Sequence, residues 1–133
     1  MVHSPITRCI FIDDDEDDQI IFEQIMSSYF KYITFSSFTS VQKGLDDLKL
    51  NYSFVGQTVV FLDLNMPKQN GFDFLEEKNR NSNLSDLKVI IYSTSNNPAD
   101  INKCLHLGAE AFITKPSKIE EMVEVLRKYL FNG

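Results

Sequence analysis

The chain has 133 residues, 43% of them apolar and 12% aromatic, enough for one compact core but short for two. No apolar run approaches the ~20 residues that span a bilayer, and the opening MVHSPITR lacks the apolar core of a signal peptide; we expect one cytoplasmic domain over residues 1–133, its core from about 7 to 131, with no membrane contact. The formal net charge of −6 resides in one hexapeptide, Asp13 to Asp18, outside which acids and bases balance, a distribution that speaks against nucleic-acid binding and for a local cation site.

Cys9-Ile10-Phe11-Ile12 is an unbroken apolar run of the kind that suits a strand buried on both faces. Cys9, like the distant Cys104, has no Cys or His at metal-ligand spacing and reads as a buried small apolar residue. The acids follow at once. Glu16, Asp17 and Asp18 suit the first turn of a helix, where carboxylates offset the helix dipole. Asp13 and Asp14, directly after a buried strand, repel each other unless a cation intervenes. Ile21, Phe22, Ile25, Met26 and Tyr29 predict the core stripe of that first helix. Ile33 to Phe38 is a weaker strand, and Val59-Val60-Phe61-Leu62 a strong one that ends at Asp63.

Beyond it, Gly71 after Gln69-Asn70 reads as a turn residue in a conformation costly for other side chains. Val89-Ile90-Ile91-Tyr92 is the fourth strand, followed by Ser93-Thr94. Asn97 with Pro98 forms a helix start and Gly108 a stop, predicting a helix from Pro98 to about Leu107. Ala111-Phe112-Ile113 leads into Thr114-Lys115-Pro116, and Ile119, Met122, Val123, Leu126 and Leu130 mark the core face of a last helix. His3 and His106 stand alone and take structural readings.

Strand and helix therefore alternate five times. That order implies an α/β fold, a five-stranded parallel sheet covered on both faces by five helices and joined by right-handed crossovers. Ligands in such open sheets sit beyond the carboxyl ends of the strands. Asp13-Asp14, Asp63, Ser93 and Lys115 all follow strands and so converge on one edge. Carboxylates, a hydroxyl and an ammonium are a set suited to Mg²⁺ and a phosphoryl group. Asp63 is in addition a candidate nucleophile, since a carboxylate can form an aspartyl-phosphate when a metal and a cation neutralise the incoming oxygens.

Phe11-Ile12-Asp13-Asp14-Asp15, Phe61-Leu62-Asp63-Leu64-Asn65-Met66-Pro67 with Gly71, Tyr92-Ser93-Thr94 and Lys115-Pro116 together resemble the receiver domain of response regulators, chemotaxis-type and single-domain, over essentially the whole chain. The resemblance implies a doubly wound, flavodoxin-like sheet of strand order 2-1-3-4-5. It implies Asp63 as phosphoacceptor, and Mg²⁺, with Mn²⁺ as substitute, held by Asp13, Asp14, Asp63 and the main-chain carbonyl of Asn65. It further implies Lys115 paired with a phosphoryl oxygen, Ser93 and Phe112 as the switch pair, and a cis peptide before Pro116. The phosphodonor would be a histidine kinase or histidine phosphotransfer protein. Such a protein catalyses its own phosphorylation and dephosphorylation and is not an enzyme. Ser117 to Gly133 leave room for one helix and no output domain. Output is then expected through contact with a protein target, or a second copy, at the face of helix 4, strand 5 and helix 5. Two departures stand out. Thr94 occupies a position that is usually small in the family, and Asp15 adds a third acid, so the choice of ligands among Asp13, Asp14 and Asp15 rests on motif alignment.

Other classes fit less well. A phosphohydrolase of the haloacid dehalogenase class resembles Asp-x-Asp at its nucleophile, whereas Asp63-Leu64-Asn65 offers an amide that shuttles no proton. A flavin-binding protein of the same architecture would not place acids where a phosphate must sit. An unphosphorylated interaction module would have no need for all of these groups.

Overall fold

A computed structural model describes residues 5–51 and 56–131. The elements run β1 (Ile6–Ile12), α1 (Glu16–Tyr29), β2 (Thr34–Phe38), α2 (Val41–Asn51), β3 (Gln57–Leu62), α3 (Gly71–Arg80), a 3-10 turn at Ser82–Leu84, β4 (Lys88–Ser93), α4 (Pro98–His106), β5 (Ala111–Thr114) and α5 (Ile119–Phe131). All strands are parallel, in the order β2-β1-β3-β4-β5. The expected strand order and the five flanking helices are both found.

Alternation along the strands splits the core in two. Cys9, Phe11, Val59, Phe61, Ile90 and Tyr92 meet Phe22, Ile25, Met26, Met122, Val123 and Leu126 from α1 and α5. Ile10, Ile12, Val60, Leu62, Val89 and Ile91 meet Leu45, Leu48, Phe74, Leu75 and Cys104 from α2, α3 and α4. Burying each such side chain contributes about 1.5–3 kcal/mol, so the central strands are the least movable part of the molecule. Much of the phenylalanine is spent on the first face, where Phe22 stacks on Phe11 with ring centroids 4.1 Å apart and meets Tyr92 edge-on. Both cysteines are free and buried.

Two stripe positions depart from expectation. Tyr29 and Ile119 are each 52% exposed, because they sit at the margins of their apolar faces and line a groove between α1 and α5 with Ile21, Gln24 and Ser28. The helix predicted from Pro98 has its Asn97 cap, whose side chain accepts from the Ala99 amide, and stops at Gly108 with φ of 100°. His106 ends that helix exposed, and His3 lies outside the described residues. No cis peptide occurs among the described residues, so the bond before Pro116 is trans, the form X–Pro bonds favour by about 0.5–1 kcal/mol. No helix among the described residues is long and apolar enough to cross a membrane.

Candidate functional site

Strand register builds the site. Ile12 of β1 lies opposite Leu62 of β3, so Asp13 and Asp63 leave the sheet side by side. The Asp63 amide donates to the Ile12 carbonyl at 2.9 Å and the Asp13 amide to the Phe38 carbonyl at 3.1 Å. Gln19, one turn into α1, donates its side-chain amide to the carbonyls of both Asp13 and Phe38, at 2.8 and 2.9 Å, tying the ends of β1 and β2 together. Gly44 of α2 lets that helix lie close on β1, since a Cβ there would collide with Ile12, the residue before Asp13. On the other side the Lys115 amide donates to the Ser93 carbonyl at 2.8 Å, which fixes the exit of β5 against that of β4.

Oxygens of Asp13, Asp14 and Asp63 lie within 4.8 Å of one another. Asp13 is completely buried and Asp63 is 7% exposed, while Asp14 faces solvent. Asp15 stands apart: it is the N-cap of α1, accepting from the amides of Asp17 and Asp18, and its own amide donates to Asp13 Oδ1 at 2.9 Å. The third acid of the run is thus used on the helix, and the clustered pair is Asp13 with Asp14.

The Lys115 ammonium reaches two carboxylates, Asp13 Oδ2 and Asp18 Oδ2, each at 2.6 Å. Burial pulls this lysine toward deprotonation, but its hydrogen bonds to Asp13 and Asp18, with the charges of Asp13 and Asp63, outweigh that and hold it protonated. Asp63 is pushed up to about 6, first by burial and then by the charge of Asp13, with Lys115 opposing. For Asp13 too, burial raises the carboxyl against the pull of Lys115 and the Asp15 amide. Packed anions of this kind favour either a proton or a cation among them.

Ser93 is fully buried, its hydroxyl accepting from the Ser95 amide at 3.3 Å. Thr94 and Asn65 are exposed. Phe112 is half-buried on β5, against the core that α2, α3 and α4 cover. Gly71 proves to be the first residue of α3 and has no positive φ. Glycine suits it because a Cβ would stand 3.1 Å from Leu64 Cδ1 and 3.2 Å from the Asp63 carbonyl oxygen, a crowding of the backbone that carries Asp63. The left-handed residue of this loop is Lys68, with φ of 68°.

Sequence reasoning assigned Asp18 to the helix dipole and did not single out Gln19. The signal was present in the stripe: stepping back four and three residues from buried Phe22 reaches Asp18 and Gln19, so the core face of α1, continued toward its start, runs into the site.

Comparison with known proteins agrees with this architecture. The family model of the response regulator receiver domain matches residues 9–127. The two-component response regulator ARR17 of Arabidopsis thaliana is 33% identical over 132 residues, covering 91% of this chain and 82% of that protein. The two-component response regulator ORR1 of Oryza sativa subsp. indica is 31% identical over 127 residues, covering 92% of this chain and 54% of that protein. The solved structure of the phosphorylated cyanobacterial phytochrome response regulator RcpA has a TM-score of 0.81 at 20% identity, over 98% of this chain and 96% of that one. The Mn²⁺-bound form of response regulator Rcp1 has a TM-score of 0.80 at 18% identity, over 95% of each chain. With the family match running from β1 into α5, across every strand and the acid-lined edge between them, the chain belongs to the response regulator receiver family.

Proposed function

We propose that this receiver is the phosphoacceptor of a two-component or phosphorelay system, taking a phosphoryl group onto Asp63 from a histidine kinase or histidine phosphotransfer protein and signalling through protein contacts. The observation that carries this reading is the buried Asp63 carboxylate clustered with those of Asp13 and Asp14 while the Lys115 ammonium is bonded to the same cluster. A divalent cation fits this donor set of hard oxygens. We assign Mg²⁺ to Asp13, Asp14, Asp63 and the carbonyl of Asn65, with Mn²⁺, the ion bound by Rcp1, able to substitute. When bound, the cation supplies neutralisation of the phosphoryl oxygens.

An Asp63 oxygen attacks phosphorus in line as the phosphorus–nitrogen bond of the donor breaks and the imidazole leaves with its electron pair. Lys115 pairs with one phosphoryl oxygen. The Ser93 hydroxyl, released from the Ser95 amide, donates to another, and water later attacks phosphorus, breaking its bond to the Asp63 oxygen so that inorganic phosphate leaves and the carboxylate is restored. The chain turns over its own side chain and is a signalling domain by that criterion.

Incubation with Mg²⁺ and acetyl phosphate, followed by intact mass, tests the reading. One acid-stable, base-labile phosphoryl group is expected, absent from Asp63→Asn and from chelated protein. Failure with acetyl phosphate and with a panel of phosphorylated histidine kinases would overturn it.

We further assign the output switch to Ser93 and Phe112, with the face of α4, β5 and α5 as the contact surface, on the ground that Phe112 is half-buried on β5 opposite Ile91, two residues before Ser93, on the sheet face that α4 helps to cover. Phe112→Ala is expected to incorporate phosphate within about threefold of wild type, since the ring supplies no charge or hydrogen bond to phosphoryl transfer, yet to lose the phosphorylation-dependent change in amide exchange over α4 and β5. Equal exchange responses in both proteins would remove Phe112 from the switch.

A further inference from the structure

Lys115 is shared between two anions of different kinds. Asp13 belongs to the carboxylate cluster and is completely buried. Asp18 belongs to the first turn of α1, lies outside that cluster, and is 29% exposed in its side chain. An ammonium has three donors and no acceptor, and here two are used, each at 2.6 Å, on one oxygen at the end of β1 and one in the first turn of α1. No hydrogen bond joins it to Asp63 among the described residues. Lys115 and a divalent cation must therefore compete for Asp13, and among the described residues Asp18 is the one carboxylate outside the cluster that gives the ammonium a second partner.

We propose that Asp18 is the positioning residue for Lys115, drawing its ammonium to the α1 side of the site so that the carboxylate cluster can hold a divalent cation and the lysine together. The inference rests on the metal reading above and extends it to a residue outside the ligand set. Without the Asp18 charge, Lys115 turns to Asp13 and Asp63 and occupies the ground the cation needs. Asp18 is anchored for this task. It sits three residues after the Asp15 cap, its amide bonded to Asp15 Oδ1 at 3.1 Å, on a helix start pinned to β1 by Gln19.

Mg²⁺ titration followed by backbone amide shifts tests the proposal without requiring phosphorylation. Asp18→Asn keeps the shape and removes the charge, and Asp17→Asn, an exposed neighbour in the same turn, controls for net charge alone. Asp18→Asn is expected to weaken Mg²⁺ binding by about threefold to tenfold, as befits a charge-assisted bond at a partly exposed site, and Asp17→Asn by less than about twofold. In a Lys115→Met background the Asp18→Asn effect should shrink to that of Asp17→Asn. Equal weakening by Asp17→Asn and Asp18→Asn, or an Asp18→Asn effect undiminished without the lysine, overturns the positioning role while leaving the metal reading intact. A wild-type protein that binds no Mg²⁺ sinks the metal reading and this inference with it.

Discussion

Lys115→Met is expected to slow phosphoryl incorporation from acetyl phosphate by about a hundredfold or more while tightening Mg²⁺ binding. The first effect follows from removing a fixed cation from the place where charge develops on the transferring group, a loss typically on the order of 10²–10³. The second follows from the competition for Asp13, since the ammonium bonded to Asp13 Oδ2 repels a second cation. Stability should move in the opposite sense. Without the lysine, metal-free protein keeps a completely buried Asp13 carboxylate whose remaining donor is the Asp15 amide. Breaking a buried pair in this way costs about 3–5 kcal/mol, lessened here because Asp13 can take up a proton. Urea melts should show a loss on the order of 2 kcal/mol in chelator that Mg²⁺ at about 100 times its dissociation constant largely restores. Incorporation at the wild-type rate would remove Lys115 from the chemistry, and an unchanged melt in chelator would show that its pair with Asp13 does little.

Strand geometry decides which parts of the site could be read from the chain alone. Asp13, Asp63, Ser93 and Lys115 each follow an apolar run, and parallel strands bring residues after such runs to one edge; the register of Ile12 with Leu62 and Ser93 with Thr114 realises this. The strands were legible because unbroken apolar runs such as Val59 to Leu62 are buried throughout, whereas their order in the sheet followed from the resemblance to the receiver family. Side chains whose role depends on rotation about a helix were harder. Asp18 serves the helix dipole and the lysine at once, so a sufficient local explanation hid the tertiary one. Gly71 was read as a conformational device, because sequence cannot distinguish a glycine that needs unusual φ from one that needs its neighbours close. Tyr29 and Ile119 carry the right spacing for the core but lie at the edges of their stripes, where exposure depends on how α1 and α5 pack.

Asp63 itself should make the metal-free protein less stable as the solution becomes neutral. Burial and the charge of Asp13 raise its folded value from 3.8 to about 6. Below 3.8 the proton is present in folded and unfolded chains alike, and the carboxyl costs nothing. Between the two values the folded chain binds the proton that the unfolded chain has lost, so stability falls with rising pH and the loss is complete above the folded value. The difference corresponds to on the order of 3 kcal/mol, carried by a group only 7% exposed. Asp63→Asn carries no such charge. The gap between variant and wild type, measured by urea unfolding in chelator so that acids remote from the site cancel, should therefore open in the variant's favour from about pH 4 to pH 7. Saturating Mg²⁺ should close or reverse it, because the cation gains its affinity from the carboxylate that the bare protein strains to hold. A gap that stays constant with pH would mean that Asp63 titrates as an ordinary surface acid, and the crowded-anion account of the site would fail.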